Sequence, residues 1–158
     1  MTVKIFFYIL VSSSGIFSLE DKPISIIVND LDHLQFDINV TNIDELVQNM
    51  IDLYGVINKI DQISKFAKDS RFGFLSSCPK LSGTGFNIYS SVRLNKISDE
   101  NREKIELISK NQDFICKIVE KNGENQVDVM NINHFGITEK ESFEKWNKVI
   151  NELLEFDV

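Results

Sequence analysis

A chain of 158 residues, 42% hydrophobic and 10% aromatic, is long enough for one compact domain with a real core and too short for two. Its net charge of −7 excludes a global basic field of the kind that draws in nucleic acid or an anionic membrane. No stretch approaches the ~20 apolar residues of a membrane span.

In chain order, residues 3–11 read as a buried strand of β-branched and aromatic side chains. The same segment has a second reading. Lys4 precedes an apolar run, and Ser12-Ser13-Ser14-Gly15 follows it, so residues 4–14 also resemble a secretory signal, with processing after about Ser14 or Ser18. Gly15 to Leu19 and Ile24 to Val28 form a predicted hairpin around Glu20-Asp21-Lys22-Pro23. Leu34, Phe36, Ile38 and Val40 alternate with Gln35, Asp37 and Asn39, the pattern of a half-exposed strand.

Residues 44–67 carry Leu46, Val47, Met50, Leu53, Tyr54, Ile57, Ile60 and Ile63 at three- and four-residue steps, which predicts a helix. Residues 69–85 read as a loop. Phe86 to Leu94 reads as a strand, and Ser98 caps a helix through about Lys110. Asp113 to Val119 and Val127 to Ile132 are predicted strands about a polar turn at Asn122-Gly123. Thr138 and Glu141 make a capping box for a last helix to about Glu155. Strands and helices fall in separate runs, so the fold class is α+β, a mainly antiparallel sheet with helices packed on it, in a single domain over residues 1–158.

Cysteine and histidine are sparse: Cys78, Cys116, His33 and His134. None forms a metal-type pair, and two cysteines do not make a disulfide scaffold.

Three segments, in order, resemble the guanidino kinases, the superfamily of phosphagen kinases and protein-arginine kinases. Asn29-Asp30-Leu31-Asp32-His33-Leu34-Gln35 is similar to N-E-E-D-H-L-R. Asp69-Ser70-Arg71-Phe72-Gly73-Phe74-Leu75-Ser76-Ser77-Cys78-Pro79, with Ser82-Gly83-Thr84-Gly85, is similar to D-x-R-L-G-F-L-T-S-C-P-T-N-L-G-T-G. Asn131 with Phe135-Gly136-Ile137-Thr138-Glu139 is similar to I-S-N-x-x-x-x-G-L-T-E. The resemblance implies a catalytic domain without the helical N-terminal domain of the phosphagen branch. It also implies loss of the arginine-bearing segment that opens the catalytic domain.

Moving a phosphoryl group from ATP to a guanidinium needs cations along the triphosphate and magnesium, and carboxylates that hold the guanidinium in line. The resemblance implies an arginine cluster, two glutamates and a cysteine for these tasks. Only three arginines occur here, Arg71, Arg93 and Arg102. The family's arginines align with Gln35, Asn87, Lys117 and Glu120, and a histidine near the nucleotide base aligns with Ser91. The first substrate glutamate aligns with Leu31, flanked by Asp30 and Asp32. The mobile loop carrying the second shrinks to Glu120–Gln126, where Glu124 is the stand-in. Cys78 either contacts a guanidinium or packs its loop. Arg71 either meets nucleotide or anchors that loop, and His33 either meets nucleotide or stabilises the fold by hydrogen bonding.

The vestigial catalytic candidates are therefore Cys78, Asp30, Asp32 and Glu124, and the vestigial nucleotide candidates His33, Arg71 and Lys117. The expectation is a cytoplasmic pseudoenzyme with no cofactor. It would act as a regulatory binding module on a protein or large complex, for instance as a dormancy factor on a ribosome, with nucleic acid met only inside such a complex. The alternative is a residual arginine or protein-arginine kinase using ATP or ADP and magnesium, with Lys80, Lys117 and Lys121 in place of arginines. Richness in Ile, Asn and Lys suits an AT-rich, reduced genome.

Overall fold

The computed structural model describes residues 2–6, 15–30, 32–94, 97–111, 113–121 and 123–157. The chain order is β1 (Thr2–Phe6), β2 (Gly15–Ser18), β3 (Ile24–Val28), β4 (Leu34–Val40), α1 (Ile43–Ile63), β5 (Lys68–Asp69) and β6 (Gly73–Phe74). A 3₁₀ turn (Pro79–Leu81) leads to β7 (Asn87–Leu94), α2 (Asp99–Asn111), β8 (Phe114–Lys121), β9 (Glu124–Asn131), α3 (Glu139–Leu154) and a last 3₁₀ turn (Glu155–Asp157). Among the described residues, seven strands make one sheet in the order β2-β3-β4-β1-β7-β9-β8, with every neighbour antiparallel. The expected α+β class is what forms.

Alternation along the strands decides which face is buried. Phe36, Ile38 and Val40 of β4, Ile88, Val92 and Leu94 of β7, and Val127 and Val129 of β9 enter one core. Leu46, Leu53 and Ile57 of α1, Ile105 and Ile108 of α2, and Trp146, Val149, Ile150 and Leu153 of α3 meet them there. The three helices thus share one face. The alternate residues, among them Gln35, Asp37, Tyr89, Ser91, Lys117 and Asp128, lie on the other.

Local chemistry sets the element ends. Asn42 caps α1 by accepting from the Asp44 amide at 3.0 Å. Thr138 and Glu141 close the capping box of α3 in both directions. The Ser98 hydroxyl accepts from the Asn101 amide at 3.1 Å at the head of α2. The expected first strand is described over Thr2–Phe6, and residues 7–14 of the signal-like stretch lie outside the described residues. That strand is central, between β4 and β7. One expectation changes. The expected loop at residues 69–85 contains the small β5–β6 pair, joined through Phe74 to Gly83 by reciprocal backbone hydrogen bonds of 2.8 and 3.0 Å.

Two locks tie layers and loops together. Trp146, fully buried on α3, donates its indole N–H to the Ser90 hydroxyl on β7 at 3.0 Å. At the end of β9, the Asn131 amide donates to the Phe86 carbonyl at 2.9 Å and its oxygen accepts from the Ile88 amide at 2.8 Å. His134 is buried beside it, and its ring also bonds the Phe86 carbonyl, while Nδ1 has no partner. Burial pulls its pKa below the ordinary value of 6.5, the hydrogen bond to Phe86 opposing.

Replacing Trp146 by Ala should cost about 3–5 kcal/mol in a urea titration. Trp146→Phe should cost about 1–3 kcal/mol, because it strands the buried Ser90 hydroxyl. The His134 shift sets a pH window. The unfolded imidazole takes a proton near 6.5 and the folded one only below that, so stability is full above pH 6.5 and falls as the pH drops below it. His33, also lowered by burial, acts in the same direction. The urea midpoint should therefore fall between pH 7 and pH 5, above the range where carboxylates titrate. His134→Gln should flatten that fall; an unchanged slope would rule out the buried imidazole as its source.

Candidate functional site: the cysteine loop and the open sheet face

The loop carrying Cys78 is held from beneath by one carboxylate. Asp32, 1% exposed in the turn between β3 and β4, accepts from the Ser77 amide at 2.7 Å and from the Ser76 hydroxyl. The Ser76 hydroxyl in turn accepts from the Cys78 amide at 3.1 Å, and the Ser82 hydroxyl accepts from the Ser76 amide at 3.1 Å. Cys78 itself is half-buried and precedes the 3₁₀ turn that starts at Pro79.

The loop then passes very close to the β9–α3 connection. The Thr84 amide donates to the His134 carbonyl at 3.0 Å. Gly83, at φ +121°, leaves no room for a side chain: a Cβ there would lie 1.9 Å from that carbonyl oxygen. Glycine at this position is a packing requirement, independent of any ligand.

On the open face, two positions where the resemblance expects nucleotide-binding groups, Gln35 and Ser91, are engaged with acidic neighbours. Gln35 donates to Asp37 at 2.7 Å. The Ser91 hydroxyl lies 2.7 Å from an Asp128 oxygen and 3.0 Å from the side-chain amide oxygen of Gln126. Tyr89 also bonds Asp128; burial first, then that carboxylate, push its pKa above the ordinary value of 10. Asn87 is buried, with its amide nitrogen unpartnered. A triphosphate brought to this face would meet Asp37, Asp128 and neutral amides beside Lys117, with Arg93 already paired to Glu124. Asp37 and Asp128 do not fit the phosphate charge of ATP.

Of the candidates, Asp32, with His33 its neighbour in sequence, meets the Cys78 loop, while Glu124 lies far from it. Asp30 is exposed at the end of the β3 segment, whereas Asp32 is buried with both oxygens engaged. Leu31 lies outside the described residues. Glu124 is not in a shortened mobile loop. Lys121 pairs with Glu124 and Glu120 with Asn125, so β8 and β9 are laddered up to the turn, with Gly123 at φ +78°. Glu124 meets Arg93 at 3.0 Å, seven residues up the strand from Asn131, or ~23 Å from the cysteine-loop end. Lys117 is exposed on the open face opposite Asp128. His33 sits beside Asp32 with Nδ1 unpartnered.

Arg71 departs from its expected anchoring role. Its side chain is 77% exposed, 3.5 Å from Asp69 and stacked over the Phe72 ring at 5.0 Å. It borders a cleft of about 380 Å³, together with Lys68, His134, Glu139 and the rings of Phe72 and Phe135. The loop anchor is Asp32, 44 residues before Ser76 in neither strand nor helix, and no local pattern marks that partnership.

Asp32→Ala should therefore destabilise by about 1–3 kcal/mol through the stranded Ser77 amide. It should also speed the reaction of Cys78 with a thiol reagent. Cys116 serves as the internal control, since burial, then the Glu152 charge, pushes its thiol up to about 11. An unchanged Cys78 rate would show that the loop is held by something other than Asp32.

The chain matches the family model described as ATP:guanido phosphotransferase, C-terminal catalytic domain, over residues 8–157. It is similar to the arginine kinase of Schistocerca americana, 26% identical over 152 residues that make 92% of this chain and 42% of that enzyme. It is similar to the protein-arginine kinase of Clostridium kluyveri, 31% identical over 96 residues, 58% of this chain and 26% of that protein. Among solved structures, the substrate-free duplicated taurocyamine kinase from Schistosoma mansoni gives a TM-score of 0.75 at 22% identity, over 91% of this chain and 19% of that one. Lombricine kinase gives 0.73 at 17% identity, over 91% and 41%. The chain spans less than half the length of the arginine kinase it matches at 42%. Its own share of the match runs almost end to end, over residues 8–157, and on that ground the chain belongs to the guanidino kinase family, by its C-terminal catalytic domain.

Proposed function

We propose that the chain is a guanidino kinase-derived pseudoenzyme, a cytoplasmic binding or regulatory module for a protein or a large assembly such as a ribosome. One observation carries the loss of activity. The open face that would have to neutralise a triphosphate holds Gln35, Ser91 and Tyr89 bonded to Asp37 and Asp128. Phosphoryl transfer is accelerated mainly by positioning and by electrostatic stabilisation of the phosphate charge, and carboxylates there act with the wrong sign. The tight β8–β9 hairpin supports the same reading, since Glu124 is spent on Arg93 far from Cys78. No helix among the described residues is long and apolar enough to cross a membrane.

A second reading, residual phosphotransfer to arginine or protein arginine, is favoured by one feature. Lys4 sits on the central strand β1, in register with Asn39 and Tyr89. Lys117 on β8 is a second lysine position among the strands of the sheet. Lysine is a point charge without the planar fork of arginine, so alignment of a triphosphate would be poor.

Thermal unfolding with magnesium and ADP separates the two. A ligand bound at ~10 μM and supplied at ~1 mM would add about 2.7 kcal/mol, a Tm rise of roughly 5–10 °C. The pseudoenzyme reading expects no shift and no phosphoryl transfer to free arginine or a protein substrate. A saturable shift that is lost in Lys4→Met, Lys117→Met or Cys78→Ser would establish the kinase reading instead.

A further inference from the structure

The helical layer has an outer surface that the fold leaves uncovered at one place. Val47, Met50, Ile51 and Tyr54 recur at i, i+3, i+4 and i+7 on α1, and with Phe143 of α3 they line a groove of about 440 Å³. Val47 is 52% and Ile51 59% exposed, so two branched side chains of a helix interior stand in water. This is more than scattered surface apolarity, because the residues are contiguous and concave. Gly55, one turn beyond Ile51, has no heavy atom within 4 Å of where a Cβ would be, and another backbone can approach there closely.

The charges around the groove choose between occupants. Asp44, one turn before Val47, is exposed, and Glu139 heads α3 at the other wall. Lys140 stands 3.8 Å from Glu144, which offsets it, and Lys22 is taken by Asp52. A second copy of this chain would bring two acidic rims together, in a molecule already at −7. An anionic lipid surface is disfavoured for the same reason. A helix with basic flanks meets both requirements, since its apolar stripe has the spacing of the groove and its cations face Asp44 and Glu139.

We propose that the α1–α3 groove docks one amphipathic helix of a partner protein, with aliphatic anchors at i, i+3 or i+4 and i+7 and with lysine or arginine along its flanks. The groove lies on the helical layer, opposite the open sheet face, so this inference is independent of whether nucleotide binds.

The test uses two synthetic helices of about fifteen residues, with the same leucine stripe and with flanks of lysine in one and glutamate in the other. Binding to the full chain is read by fluorescence anisotropy and by backbone amide shifts. The lysine probe is expected to bind saturably, with shifts centred on Val47, Ile51 and Gly55. The glutamate probe is expected to bind at least ~10-fold more weakly. Ile51→Asp, at an exposed site and with helix content checked by circular dichroism, should weaken the lysine probe by ~10-fold or more. Asp44→Asn with Glu139→Gln should remove the preference between probes. Equal binding of both probes, no saturable binding, shifts on another face, or a dimer that Ile51→Asp converts to monomer would each overturn the proposal. The magnesium–ADP assay is unaffected by any of these outcomes, so failure here and failure of the pseudoenzyme reading are distinguishable.

Discussion

Helices cover only one face of the sheet, so every second strand residue meets apolar packing and its neighbour meets water or whatever settles there. That asymmetry governs the rest of the molecule. The covered face is a continuous apolar core from Ile24 to Leu153. The open face must satisfy its own polar groups, because water reaches it unevenly and Gln35 and Asn87 are buried there. Asp37, Asp128 and Gln126 engage Gln35 and Ser91 from within the sheet, while the Asn87 amide nitrogen stays without a partner.

The cysteine loop holds its shape by contacts within the chain. Its shape rests on the buried Asp32 carboxylate, on two serine hydroxyls and on a glycine that lies against a carbonyl. None of these needs a substrate. Loss of any one would leave a buried donor or acceptor without a partner, or would force the backbone apart. A Cys-Pro motif inside such a loop is thus held in place by hydrogen bonding and packing, with or without turnover.

Features set by nearest neighbours were legible in the sequence. The Thr138–Glu141 capping box, the Asn42 and Ser98 caps, the Gly15–Val28 hairpin and the heptad-like spacing of α1 are all local. The Asn122-Gly123 turn was legible too, yet the strands on either side run closer to it than expected, because Glu120 and Gln126 are laddered and not looped. Legibility ended where partners are far apart in sequence. The central place of β1 depends on pairing with Val40 and with Ser90, and the Asp32 pin spans 44 residues to Ser76. Arg71 departs from expectation because its motif is present while its partner Asp69 lies only two residues away, in solvent. The outward apolar side of α1 was hidden inside its own periodicity, which marks Val47 and Ile51 as apolar without saying which way they face.

The place of β1 also bears on how the sheet comes into being. The earliest of the described strands is the one that joins β2-β3-β4 to β7-β9-β8, and no other strand bridges the two groups in the described sheet. On a growing chain it emerges early and must wait for residues near Ser90 before both of its edges are paired. Until then the edge of β1 that β7 will take stays unpaired, the kind of surface that pairs with whatever strand arrives first. Cleavage after Ser14 would remove Thr2–Phe6, and with it the strand that joins the two three-stranded groups of the described sheet.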